Sequence, residues 1–149
     1  MDKDYVQNLR YKLQKRVRRL NSGDFQVFHF LLKQFWGFLE DQPIFSALLQ
    51  ELDVRSGTVS SDVERIFSSG DQMVFETEEE NALACYLVLK RCAESDNQSI
   101  ELHVARTYSN EAKHNDALEA FKDIFIEPFY EYIDENLDDA GFILALLRK

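Results

Sequence analysis

The sequence predicts an all-α, single-domain bundle of seven or eight helices. Three observations carry this expectation. Apolar residues recur at intervals of three and four along nearly the whole chain, the period of a helix buried on one face. No two runs of alternating polarity flank a turn, so no β-hairpin is expected. Only five Gly and two Pro occur in 149 residues, so few positions interrupt a helix.

The first helix is expected over residues 3–20. Val6, Leu9, Leu13, Val17 and Leu20 make one apolar stripe, and the cations fan over the other faces. Asn21-Ser22-Gly23 reads as its turn. A second helix spans 24–40, with Asp24 as its N-cap. Val27, Phe28, Leu31, Leu32, Phe35, Phe38 and Leu39, widened by Phe30 and Trp36, give it a broad apolar face. Such a helix sits centrally and touches several neighbours.

Pro43 suits the first position of a third helix, 43–54, because its missing N–H has no helical acceptor there. Ile44, Leu48, Leu49 and Leu52 face inward. Ser56-Gly57 ends it. Ser61 and Glu64 form a capping-box pattern for a fourth helix, 62–68. Residues 72–76 read as a short extended piece. Thr77 and Glu80 form a second capping box, opening a fifth helix over 78–93. Glu78, Glu79 and Glu80 sit at its start and Lys90 and Arg91 at its end, an order that suits the helix dipole.

A sixth helix covers 99–108 and a seventh 115–137. The apolar spacing of the seventh runs straight through Pro128, which removes a backbone hydrogen bond, so a kink is expected near 124–128. An eighth, short and apolar, spans 140–148. Met1 looks like a native start. Because an apolar run rarely ends a complete protein unless it docks on the core, the reading favours residues 1–149 as the first domain of a longer chain.

A 149-residue domain buries roughly 70% of the surface its unfolded chain exposes, and so folds without crosslinks. The 45% hydrophobic content, with 12 Phe, 6 Tyr and 1 Trp, excludes disorder as the main state. Cys85 and Cys92 lie seven residues apart, about 10 Å along a helix and beyond disulfide reach. They read as reduced core thiols of a cytoplasmic protein. No signal peptide is visible, and no apolar stretch approaches the roughly 20 residues of a membrane span.

Net charge is −10, unevenly spread. Residues 1–22 hold seven basic and two acidic side chains, a net of +5; the other 127 hold ten basic and 25 acidic, a net of −15. Lys12, Lys15, Arg16, Arg18 and Arg19 form a dense cationic cluster on the first helix and are the candidate interaction surface. Phosphate binding needs such a cluster, and Tyr5 and Tyr11 could stack on bases. The acidic remainder opposes a polyanion. A membrane surface is not expected, since the stripe of this helix lacks Trp and Phe anchors.

No metal site is expected. His29, His103 and His114 share no ligand spacing and read as solvated or helix-edge residues, and the cysteines form no CxxC. The acidic run Glu76 to Glu80 belongs to a helix N-terminus. Glu119, Asp123, Glu127, Glu131, Asp134 and Glu135 read as a solvated face. With no GxSxG and no phosphate loop, no catalytic residue and no cofactor is expected.

Leu102 to Phe129 partly resembles one tetratricopeptide hairpin: Ala105, Tyr108, Ala117, Phe121 and Pro128 echo its pattern, though a stable array needs about three repeats. Phe125-Ile126-Glu127-Pro128-Phe129-Tyr130-Glu131-Tyr132-Ile133 through Leu146-Leu147-Arg148 resembles uncharacterised bacterial helical domains that precede effector or nuclease-like modules. That resemblance implies an adaptor or sensor domain with its chemistry elsewhere. The expectation is therefore a non-enzymatic domain that binds a protein partner or a second copy of itself. The alternative is a nucleic-acid-binding module using the first helix.

Overall fold

The computed structural model describes residues 3–139. The eighth helix expected over 140–148 lies outside the described residues. Eight α-helical segments follow one another: α1 (Lys3–Ser22), α2 (Phe28–Asp41), α3 (Pro43–Arg55), α4 (Ser60–Ser69), α5 (Glu78–Glu94), α6 (Ile100–Tyr108), α7 (His114–Phe121) and α8 (Glu127–Leu137). A 3-10 turn (Ser56–Thr58) joins α3 to α4, and a π-helical segment (Lys122–Ile126) joins α7 to α8 without a break. No strand occurs among the described residues. The protein is all-α.

Two helices form the centre. α2 buries Phe28, Leu32, Phe35, Trp36 and Leu39 and packs against α1, α3 and α5. α5 buries a continuous run from Ala82 to Tyr86 and again Val88, Leu89, Cys92 and Ala93. Its small residues let α2, α3, α4 and α8 approach closely. Trp36 stacks on Phe129 of α8 at 5.6 Å and lies 5.9 Å from Tyr86 of α5, so one indole ties three helices together. Such ring pairs add about 1 kcal/mol beyond the area they bury.

Several boundaries differ from the sequence reading, each for a local reason. α1 runs through Asn21 and Ser22, and the chain turns at Gly23. A Cβ there would stand 2.4 Å from Leu31 Cδ1, so close packing of α1 on α2 favours glycine. Asp24 does not cap α2. Its carboxylate accepts the Gln26 N–H at 3.0 Å, and its carbonyl takes the N–H groups of Val27 and Phe28. The helix proper begins only at Phe28.

The Ser61–Glu64 capping box does not form. Val59 precedes α4 without a side-chain cap, and Glu64 pairs instead with Arg91 of α5. The Thr77–Glu80 box does form: the Glu80 N–H donates to Thr77 Oγ1 at 3.1 Å, and that hydroxyl donates to the Glu80 carboxylate. Residues 72–76 are held not as a strand but by bonds to α6: Gln72 Nε2 donates to the Thr107 carbonyl, and the Met73 N–H to the Tyr108 hydroxyl. Val27 and Phe30, expected on the inner face of α2, are 46% exposed, because no described helix covers that edge.

The irregularity expected near 124–128 takes the form of a π turn over Lys122–Ile126, just before Pro128. α6 and α7 pack side by side, the hairpin anticipated from the sequence. Every buried side-chain polar atom among the described residues has a hydrogen-bond partner, as native interiors require.

Candidate interaction surface

The heptad-like stripe Leu9, Leu13, Val17 and Leu20 faces the core and fixes where every other side chain of α1 must lie. Arg10 and Arg16 flank that stripe on opposite sides. Arg10 turns toward α8, where its Nε donates to Asp134 Oδ1 at 2.8 Å and its Nη2 reaches Asp138 Oδ1 at 2.5 Å. Arg16 turns toward α2, where its guanidinium lies 4.0 Å from the ring centroid of Phe38 and donates to the Lys12 carbonyl.

Lys12, Lys15 and Arg19 follow Arg16 round the same side. They stand at i, i+3, i+4 and i+7, the spacing that brings side chains into one ridge on a helix. Lys12, Lys15 and Arg19 are exposed and Arg16 is half-buried. Arg18 is also exposed, but it shares its face with Tyr11, seven residues earlier and 62% exposed. The structure therefore brings four of the five candidate cations together and sets Arg18 beside them. At the foot of the ridge, Arg16 and Arg19 rim a shallow hollow floored by Leu20, Leu31 and Phe35.

No ion pair joins these five cations to any described residue. The contrast with other cations is plain. Arg55 pairs with Glu79, Arg65 with Asp71, Lys90 with Asp53 and Arg91 with Glu64. The neighbouring α8 presents the opposite sign. Glu127, Glu131 and Glu135 are exposed at i, i+4 and i+8, and Asp123 stands at their head. Burial first, then the neighbouring Glu131 and Asp123, raises the Glu127 carboxyl above its ordinary value. Like charges crowd along this ridge.

Other ionisable groups are used inside the fold. His29, expected to be solvated or at a helix edge, is 3% exposed. Its Nδ1 lies 2.6 Å from Glu101 Oε1 and its Nε2 donates to the Ser95 carbonyl at 3.0 Å. Burial raises the Glu101 carboxyl, against the lowering effect of the His29 hydrogen bond. Lys33 Nζ donates to the Ala93 carbonyl at 2.8 Å. These bonds occupy carbonyls at the C-terminal end of α5 that the helix itself leaves free.

Lys122 is buried too. Its Nζ donates to the carbonyls of Asn21 and Gly23 and to Glu119 Oε1. None of these groups opens onto a cleft with an unused polar atom.

His103 and His114 are exposed, and the His114 ring packs tilted against Phe25 at 4.8 Å while meeting Arg106. Among the described residues no three His, Cys, Asp or Glu side chains gather as metal ligands, and no helix is long and apolar enough to cross a membrane. Cys85 and Cys92 are free and buried. Burial pushes the Cys85 thiol up to about 12 and raises Cys92 as well. An open groove of about 600 Å³ lies between α4, α5 and α6, lined by Val63, Leu87 and Ile100 with Lys90, Arg91 and Glu64. Arg91 and Glu64 pair with each other there, and Lys90 is taken by Asp53 outside the groove.

The chain matches no family model, no curated protein and no solved structure. The two resemblances read from the sequence gain no weight from these comparisons, and the residues themselves must carry the functional reading. The carboxylates recurring every four residues from Asp123 to Glu135, read from the sequence as a solvated face, are indeed exposed along the π turn and α8; what the sequence did not show is the buried His29–Glu101 pair.

Proposed function

We propose that this chain is a non-enzymatic protein–protein interaction domain, an adaptor or sensor of the cytoplasm. Its docking surface is the cationic ridge of α1, and its partner presents a carboxylate-rich polypeptide surface. One observation supports this reading above the rest: Lys12, Lys15, Arg16 and Arg19 share one helix face and pair with no described carboxylate, on a chain whose other 127 residues carry a net of −15. A field of one sign on a molecule of the other sign steers and orients a complementary partner.

Nucleic acid is the second reading. The exposed Tyr11 beside Arg18 favours it, since a ring next to a cation suits stacking and phosphate contact together. The acidic remainder disfavours it, because it repels a polyanion outside the narrow ridge.

Fluorescence anisotropy separates the two. Labelled poly-glutamate and labelled single- and double-stranded DNA and RNA are titrated at low and at physiological salt. Saturable poly-glutamate binding, lost in Lys15→Glu with Arg19→Glu, supports the protein-docking reading. Nucleic-acid binding with a steep salt slope, lost in the same variant, replaces it with the second. Arg16 is the poorer residue to reverse, because its contact with Phe38 mixes folding with docking.

A further inference from the structure

The partner of the cationic ridge can be named more closely, in an inference that rests on the docking reading above. We infer that it is a second copy of this chain: the α1 ridge of one copy seats on the Asp123, Glu127, Glu131 and Glu135 ridge of the next.

Spacing is the first support. Lys12 to Arg19 spans seven residues, about 10 Å of helix, close to the eight residues and about 12 Å from Glu127 to Glu135, with Asp123 about one turn beyond. Charge is the second. Four cations face four carboxylates, and neither set is ion-paired within the chain among the described residues. Burial first, and then the neighbouring Glu131 and Asp123, raise Glu127, so a cation laid along them relieves a repulsion already present.

The third support is that α1 and α8 already exchange charge within one molecule. Arg10 pairs with Asp134 and Asp138. That contact takes up Asp134 and Asp138, which share a helix face with Glu127 and Glu131 at i, i+4, i+7 and i+11, and leaves Glu127, Glu131 and Glu135 without an ion pair among the described residues. Arg10 and Arg16 lie on opposite flanks of the apolar stripe, and Lys12, Lys15 and Arg19 lie on the flank that turns to α2. No ion pair joins them to the α8 carboxylates of their own molecule among the described residues, and a second molecule can bring those carboxylates to them.

Two different surfaces meet in such a contact, which makes it heterologous: it continues head to tail until it closes into a ring or is capped. The net charge of −10 repels copies at long range, while the ridges attract at contact. Salt near 0.1 M screens beyond about 10 Å and favours the contact over the repulsion, and salt near 1 M screens to about 3 Å and weakens the contact itself.

Sedimentation velocity across a concentration series tests this on the full chain, with circular dichroism confirming that each variant keeps its helical content. At about 0.1 M salt the mean mass of the unaltered chain should rise with concentration, and this rise should shrink at about 1 M. Lys15→Gln with Arg19→Gln should stay monomeric, and so should Glu131→Gln with Glu135→Gln. Mixed in equal amounts, the two variants should form a species of about twice the monomer mass and nothing larger, since each retains one intact half of a heterologous contact. A mixture that stays monomeric overturns the pairing, as does either variant that still associates alone. If the unaltered chain stays monomeric yet binds poly-glutamate through α1, the second copy is overturned and the docking reading stands. If it does neither, both fall.

Discussion

The Cys85 thiol donates to the carbonyl oxygen of Ile124 across 3.4 Å, and Ile124 is the residue four before Pro128. In an α-helix that carbonyl would accept the N–H at position 128, which proline lacks. The chain answers twice. It widens into a π turn over Lys122–Ile126, where the Glu127 N–H reaches back to the Lys122 carbonyl, and it sets a buried thiol against the orphaned oxygen.

Cys85→Ala should therefore lose about 1–2 kcal/mol by urea denaturation, and Cys85→Ser should recover part of that, since a hydroxyl is the stronger donor. With the thiol pushed up to about 12 by burial, it stays protonated at neutral pH and is a poor nucleophile. A thiol-titrating reagent should find neither cysteine in the folded protein and both after unfolding. Prompt labelling of Cys85 in the native state would contradict this placement.

The His29–Glu101 pair should show in the pH dependence of stability. Burial holds Glu101 above its ordinary 4.5, so the folded state binds its proton more tightly than the unfolded state does. The favourable contribution is complete below 4.5 and is lost as pH rises through the folded value. Glu101→Gln keeps a neutral polar partner for His29 and does not titrate. Its stability relative to the unaltered chain should climb as pH rises above 4.5, and a flat difference across that window would remove the burial argument. His29→Ala leaves a buried carboxyl with no side-chain partner and should cost about 3–5 kcal/mol at neutral pH.

Lys122 should matter for its donors more than for its charge. Lys122→Met retains the apolar stem but strips the carbonyls of Asn21 and Gly23 of the Nζ that serves them. A loss of about 3 kcal/mol is expected from two buried acceptors left unmet. Glu119→Gln, at the exposed end of the same ion pair, should change stability by less than about 1 kcal/mol. Equal losses in the two variants would mean that the ion pair, and not the carbonyl contacts, is what counts.

The two capping-box patterns should separate on mutation. Thr77→Ala removes the acceptor of the Glu80 N–H and should cost about 1 kcal/mol in thermal or chemical unfolding. Ser61→Ala lies inside α4, beyond its start at Ser60, and should be neutral or slightly stabilising by helix propensity. The same four-residue pattern thus carries different weight at its two occurrences.

What the sequence determined by itself is what depends on near neighbours. The helical period placed α1, α3, α5 and α6 to within two residues at each end, Pro43 opened α3, and Thr77 capped α5. The cationic cluster of α1 was visible as a run of charge, and Arg16 and Arg19 could be seen to share a turn. These features rest on contacts within one or two helical turns, where spacing along the chain and distance in space are nearly the same thing.

Tertiary structure decided the rest. His29 meets Glu101 from 72 positions away, and Arg10 meets Asp134 from 124, so neither pairing leaves a mark on local periodicity. Val27 and Phe30 looked like core and became surface, because an apolar side chain is buried only where another element covers it. The acidic face of α8 looked like an ordinary solvated face, and only the fold set its Asp134 and Asp138 against Arg10 of α1.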